Sequence, residues 1–226
     1  MASNLYNKCA DIKAKLDNIL LKTDSIINSR LPYVELEYIE STGTQYINTG
    51  VYNSNGLITE SKFLYTSIVN DYDTICGAQD ATNSASRGAN CLIMRRDSGR
   101  LCAYIGTNPI DNSFPISNNV EYTIKFSSVI NNSYATLNGE TQSFNIGGTR
   151  GVRPLYLFGL NNNGSFTHFS KARIYYLKLF DNNNNLLKDF IPVMRSSDGV
   201  ICMYDLISMQ FYENDGTGTF IAGPVI

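Results

Sequence analysis

Leu31-Pro32-Tyr33-Val34-Glu35-Leu36-Glu37-Tyr38-Ile39-Glu40-Ser41-Thr42-Gly43-Thr44-Gln45-Tyr46-Ile47 is the stretch at which the chain changes character. Pro32 stops a helix from running through it and biases Leu31 toward extended backbone. From Val34 onward, β-branched and aromatic residues read as a strand, then a turn at Ser41-Thr42-Gly43-Thr44, then a second strand. Gly43 supplies the freedom to take positive φ in that turn. Upstream the apolar residues recur with a helical period, and downstream no helical period appears. The expected organisation is therefore a helix over 1–31 followed by a β-domain over 32–226.

Working back from the junction, Leu5, Ile12, Ile19 and Ile26 fall seven apart, and Cys9, Leu16, Thr23 and Arg30 form a second seven-spaced row. Interleaved, they make the seam of a coiled coil, the first row at d and the second at a. Leu20 and Ile27 at e widen the stripe, and Ile at d with Leu16 at a favours three or four strands over two. Residues 4–29 as a helix span about 40 Å, with Ser3 or Asn4 as the cap. The expectation is a homo-oligomerising stalk, most simply a trimer, that also serves as an attachment segment. Thr23 and Arg30 are weak seam residues and the seam is short, so the β-domain has to assist assembly. The competing reading is an amphipathic helix packed on its own domain.

Working forward, short strand-like runs separated by turn residues are expected at 34–39, 45–51, 57–66, 91–96, 101–105, 120–130, 133–137, 141–146, 155–160, 172–180, 186–193, 200–204 and 210–212. Asn138-Gly139 is a two-residue hairpin signal, and Asp181 to Asn185 reads as a longer hairpin loop. So many short strands in one domain predict an antiparallel two-sheet sandwich of the jelly-roll kind. The stretches 77–90 and 106–119 read as long loops, the first places to look for a binding surface.

Composition narrows the function classes. The chain has 226 residues and a net charge of −2, with no basic stripe, which argues against nucleic acid as a partner. No apolar run is long enough to span a membrane. The start, Met1-Ala2-Ser3-Asn4, lacks the features of an export signal, so the chain is expected to be made and to assemble in a cytoplasm. Five scattered cysteines, at 9, 76, 91, 102 and 202, form no CxxC pair and are expected as reduced thiols, four of them within strands. With His168 the single histidine, no zinc site is expected and no cofactor is implied.

Two segments carry a family likeness. Glu37-Tyr38-Ile39-Glu40-Ser41-Thr42-Gly43-Thr44-Gln45-Tyr46-Ile47-Asn48-Thr49-Gly50 resembles the opening of a domain common in phage structural proteins and gut-bacterial surface proteins. The closing motifs of the same family are matched by Arg173 to Asp181, Lys188 to Val193, Asp198-Gly199-Val200, Tyr204-Asp205, Gln210-Phe211-Tyr212 and Gly216-Thr217-Gly218-Thr219-Phe220. The resemblance, over roughly 35–224, implies a concanavalin A-like (laminin-G-like) jelly roll. It also implies a virion setting: an oligomeric head fibre, decoration protein, or tail or baseplate appendage. The helix would then attach to a capsid or tail protein, and the jelly roll would face host polysaccharide.

Candidate glycan-binding residues are Tyr72 and Asp73, and Asn161, Asn162 and Asn163 with His168, polar loop clusters beside aromatics. Asp71, Asp73 and Asp80 are carboxylates that could contribute to a calcium site, without constituting one. Glu35-Leu36-Glu37-Tyr38-Ile39-Glu40 resembles the acidic strand of laminarinase-type glycosidases, in which paired carboxylates cleave the glycosidic bond. Here Glu replaces the central Asp, the segment opens the domain, and the chain has no Trp to stack a sugar. The expectation is a non-enzymatic protein, with a free lectin or a divergent glycosidase as the alternatives.

Overall fold

The structure, a computed structural model, describes residues 2–28, 31–52, 56–68, 71–80, 88–96, 99–106, 108–144 and 150–226, with the backbone alone at 2–8, 23–28, 90–96 and 108–113. One helix, α1 (Ala2–Asn28), precedes the strands. In chain order these are β1 (Tyr33–Glu35), β2 (Ile39–Thr42), β3 (Ile47–Tyr52), β4 (Ile58–Ser67), β5 (Asp73–Gln79), β6 (Ala89–Arg96), β7 (Arg100–Gly106), β8 (Asn108–Pro115), β9 (Tyr122–Ser127) and β10 (Ser133–Leu137). They continue as β11 (Glu140–Phe144), β12 (Pro154–Leu157), β13 (Leu160–Asn162), β14 (Ser165–Thr167), β15 (Lys171–Phe180), β16 (Leu186–Arg195), β17 (Ile201–Asp205), β18 (Gln210–Tyr212) and β19 (Ile221–Ala222).

Two sheets form. The larger runs β11-β10-β9-β4-β15-β16-β17-β18, with β1 beside β16 and β2 bridging β15 and β19. The smaller runs β14-β13-β5-β6-β7-β8, with β12 between β3 and β5. Their inner faces close on one core. Phe63, Tyr65, Phe126, Ile174, Leu177, Leu179 and Phe190 from the larger sheet meet Ile47, Ile75, Ile105, Leu155, Leu157 and Phe158, all buried. The Tyr65 hydroxyl donates across the gap to the Asp73 carbonyl at 2.8 Å. The domain is thus mostly β, a jelly-roll-like sandwich, as expected.

Alternation explains which side chains go inward. In β15 the inward residues are Ile174, Leu177 and Leu179. Their spacing breaks at Tyr175-Tyr176 because a bulge opposite Lys62-Phe63 adds one residue there, so both tyrosines face out. The Asn138-Gly139 hairpin forms, both residues with positive φ (48° and 92°). At 181–185 the Asp181 carboxylate accepts the Asn183 and Asn185 N–H groups.

Several boundaries differ from expectation. The run 34–39 breaks into β1 and β2, with only an isolated bridge from Leu36 to Val225 between them. The run 155–160 splits into β12 and β13 because Phe158 turns with φ of 65°. The expected loop 106–119 contains β8, an end strand of its sheet. Pro109 and Pro115 misled there: an edge strand leaves one row of N–H groups unpaired, so proline is tolerated. The expected loop 77–90 is shortened at both ends by β5 and β6, and 81–87 lie outside the described residues.

The helix is slightly longer than expected, and it already includes Ser3 and Asn4, so neither sits outside it as a cap. Cys9, Ile12, Leu16 and Ile19 on the expected seam are all exposed, which removes the reading of a helix packed on its own domain over this stretch. The side chains of Leu5, Thr23 and Ile26, and Arg30 altogether, lie outside the described residues. Cys76, Cys102 and Cys202 are buried free thiols and Cys9 is an exposed one. The side chain of Cys91 is not described. The described helix is not apolar enough to cross a membrane.

Candidate functional site

The opening and closing segments that carry the family likeness meet in space. Gln45, buried in the turn, accepts through Oε1 from the Thr42 N–H at 2.8 Å and the Ser41 hydroxyl at 3.1 Å. Against it lies 214–218. Asn214 Oδ1 accepts the Tyr46 N–H at 3.1 Å and the Gly216 N–H at 2.8 Å, while its amide donates to the Gly218 carbonyl. A β-carbon on Gly216 would lie 2.1 Å from the Thr44 carbonyl oxygen, so only glycine fits. The motifs are therefore a clasp. Lys188 and Asp205 form a second one: Asp205, fully buried, accepts from Lys188 Nζ at 2.8 Å, the Asp189 N–H at 2.9 Å and the Ser208 hydroxyl at 2.5 Å.

The clasp orients a ring cluster. Ile47, Thr49 and Val51 of β3 point inward, so Tyr46 and Tyr52 point out. In β12 the same alternation turns Tyr156 outward between Leu155 and Leu157. The Tyr46 ring stacks on Tyr156 (centroids 4.7 Å apart, 30° between planes) and on Phe166 of β14 (4.3 Å, 21°). Gly159 makes room, since a β-carbon there would fall 2.0 Å from Phe166 Cε2. Tyr52 flanks the stack, 56% exposed, and is the open ring of the group. Asp215 is exposed; its Oδ2 accepts the Asn48 N–H at 3.1 Å. Arg153 Nη2 donates to Asn163 Oδ1 at 2.6 Å.

Electrostatics binds these groups into one site. Burial raises the Tyr46 phenol above its ordinary value, and the Asp215 charge adds to it. Burial, then Tyr46 and Asp215, do the same to Tyr156. Both hydroxyls stay protonated at neutral pH and can donate. The face thus offers apolar ring surface, phenol donors, a carboxylate, an amide and a guanidinium at fixed positions. That combination suits a polyhydroxylated ligand with apolar C–H faces.

The sequence-expected glycan residues do not converge. Tyr72 (φ 86°) and His168 pack edge to face, 5.7 Å apart, where the Thr74 N–H bonds the His168 carbonyl at 3.0 Å. Asn163 instead bonds the Gln79 carbonyl, five residues further along β5, about 17 Å away. Asp73 is fully buried. Asn161 is buried too, and its side chain holds the Pro154 carbonyl and the Gly164 N–H. Asn162 accepts from Gln79. Asn161 and Asn162 lie within β13, so only Asn163, at the rim of the ring cluster, keeps a place in a candidate site. Sequence reading missed Tyr46, Tyr52, Tyr156, Phe166, Arg153 and Asp215. The signal available was an outward aromatic on an alternating strand.

Other polar sites are engaged internally. Glu40 pairs with Arg173 at 2.7 Å, and the guanidinium covers the Tyr38 ring at 4.4 Å. Lys62 bridges Glu121 at 2.7 Å and the Tyr175 ring at 4.3 Å. Glu35 and Glu37 sit exposed on either side of the break between β1 and β2, so the glycosidase-like acidic pattern does not lie on one regular strand. Asp80 caps the Val152 N–H at 3.0 Å, at the far end of β5 from Asp73. Among the described residues no group of three or more His, Cys, Asp or Glu side chains is placed to hold a metal ion. An open groove of about 520 Å³ runs between Asp198–Ile201 and Glu213–Phe220. Its two carboxylates are clamped by Arg195, at 2.6 Å to Asp198 and 2.5 Å to Glu213.

No protein-family model matches the chain, and no curated protein matches its sequence. Likenesses are found among solved structures. Domains LG4-5 of the mouse laminin alpha1 chain share 16% identity at a TM-score of 0.49, over 69% of this chain and 44% of that one. The Ruminococcus gnavus IT-sialidase CBM40 bound to alpha2,3 sialyllactose shares 13% at 0.49, over 70% and 91%. The heptameric SAP-like pentraxin of Limulus polyphemus shares 11% at 0.49, over 85% and 94%. The chain spans less than half of the laminin fragment.

Proposed function

We propose that this chain is a non-enzymatic display protein. Copies associate through their helices, most simply as a trimer, and each sandwich presents the face around Tyr52, Tyr156, Arg153, Asn163 and Asp215 to a saccharide. The observation that carries the reading is the helix: Ile12, Leu16, Ile19, Leu20 and Leu21 are each 55% to 68% exposed in a single copy. Burying a large aliphatic side chain is worth about 1.5–3 kcal/mol, so a partner surface is expected, and the heptad spacing matches another copy.

The finer setting is a virion: a small head fibre, decoration protein, or tail or baseplate appendage, assembled in the host cytoplasm. The helix attaches to a capsid or tail protein, and the ring face meets host polysaccharide. The motif resemblance at both ends of the domain supports this, together with the helix-plus-domain layout. Light scattering of the full chain beside residues 31–226 is the test. A trimer that becomes a monomer on truncation supports the reading, and a full-length monomer sinks it. An array of surface polysaccharides tests the ring face, and binding that survives Tyr52→Ala with Asp215→Asn would reject it.

A further inference from the structure

Where the helix joins the domain, apolar side chains stand in water. Val225 and Ile226 are 65% and 71% exposed, Leu31 is 37% exposed, and with Tyr33, Val34 and Glu35 they line a cleft of about 150 Å³. Their backbone is held: the Glu37 N–H bonds the Pro224 carbonyl at 2.8 Å, the Ile226 N–H bonds the Glu35 carbonyl at 3.3 Å, and the Ser196 N–H bonds the Pro32 carbonyl at 2.9 Å. This is an ordered apolar ledge.

We infer that the ledge is a second interface between copies of this chain, completing the association begun by the helices. The inference rests on the helical association proposed above. Chain connectivity argues for it. Helices in a bundle pack about 8–10 Å apart. Asn28, the last helical residue, is three residues from Leu31, a reach of about 10 Å. The junctions of two copies therefore lie within about 30 Å of one another. A domain of this length has a radius of gyration near 16 Å and is roughly 40 Å across. Bodies of that width tethered so closely meet at the surface around the tether, which is where the ledge sits.

The seam argues the same way. Its apolar residues run through Leu16 and Ile19, but its last two a positions are Thr23 and Arg30. The end nearest the domain is thus the end least able to hold itself together. Val225, Ile226 and Leu31 supply apolar contact at that end. The occupant is a second copy, because the tether places one there in every oligomer the helix forms.

The test is sedimentation of the full chain over a range of concentrations, for the unaltered protein, Val225→Asp with Ile226→Asp, and Ile12→Asp with Ile19→Asp. Both ledge side chains are mostly in water, so the monomer fold is expected to persist, and a thermal melt of each variant checks it. Val225→Ser with Ile226→Ser replaces the Asp pair if the melt falls. The expected result is an unaltered oligomer, a monomeric helix variant, and a ledge variant that dissociates at a concentration about tenfold higher or more. An unaltered oligomer whose ledge variant associates equally well overturns the ledge and leaves the helical association standing. An unaltered chain that is monomeric overturns both.

Discussion

Thr44 and Thr217, 173 residues apart in the chain, hold each other by a reciprocal pair of bonds. The Thr44 hydroxyl donates to the Thr217 carbonyl at 2.9 Å, and the Thr217 N–H donates to the Thr44 carbonyl at 3.1 Å. The turn that opens the domain and the segment that closes it thereby become one structural unit.

Glycine identity in that unit is a matter of contact. Gly216→Ala pushes a β-carbon against a backbone carbonyl that cannot rotate away, at a cost of about 3 kcal/mol. Gly199 has open space around it but a φ of 73°, so Gly199→Ala costs only about 1–2 kcal/mol of backbone strain. Urea unfolding of the two variants gives the comparison, and equal losses would reject the steric account.

The Lys188–Asp205 pair predicts a pH dependence. Burial pushes the Asp205 carboxyl up, but donors from Lys188, Ser208, Asp189 and Ile207 outweigh it and leave it below its ordinary value of 3.8. A depressed carboxyl contributes stability above its unfolded value and loses it as pH falls through the folded one. Asp205→Asn is expected to cost about 3 kcal/mol at neutral pH, a fall of about 10 °C in melting temperature. The gap to the unaltered protein narrows below pH 3.8. Lys188 runs the other way. Burial lowers its ammonium, bonds to Asp205 and Tyr212 outweigh that, and it ends above 10.5, so its contribution is lost only as pH rises past that value.

The cysteines should separate by reactivity. Burial pushes the Cys202 thiol up to about 12, so at pH 8 roughly one in ten thousand is thiolate. Alkylation followed by peptide mass spectrometry is expected to label Cys9 quickly in the monomeric helix variant, more slowly in the oligomer, and to spare Cys76, Cys102 and Cys202. Rapid native labelling of Cys202 would contradict its burial.

The ring face separates binding from stability. Tyr52→Ala and Asp215→Asn change exposed groups and should lower saccharide affinity about tenfold with an unchanged melting temperature. Phe166→Ala opens the stack beside Tyr46 and should cost about 2–4 kcal/mol as well. Isothermal titration beside a thermal melt distinguishes the two classes.

Much of the fold was legible. Pro32 marks the junction, Asn138-Gly139 forms the hairpin it signals, and the inward residues of β9 and β15 follow their alternation. Errors came where a local signal had a tertiary answer. Pro109 and Pro115 read as loop residues, yet they sit on an edge strand where a missing N–H costs little. Tyr72, His168 and Asn161 to Asn163 read as one polar cluster, but β13 runs parallel to β5 and carries the asparagines to its far end.

By itself, the sequence determined the helix, its seven-residue apolar spacing, the β character of everything after Pro32 and the side of each strand that faces inward. Those properties depend on residues within a turn or two of one another, where backbone sterics and alternation are decisive. Only the tertiary structure decided that Thr44 meets Thr217, that Tyr46 stacks between Tyr156 and Phe166, and that Val225 and Ile226 lie beside the helix junction. Periodicity says which face a side chain occupies, but which strand lies next to which is set by pairing between segments far apart in the chain.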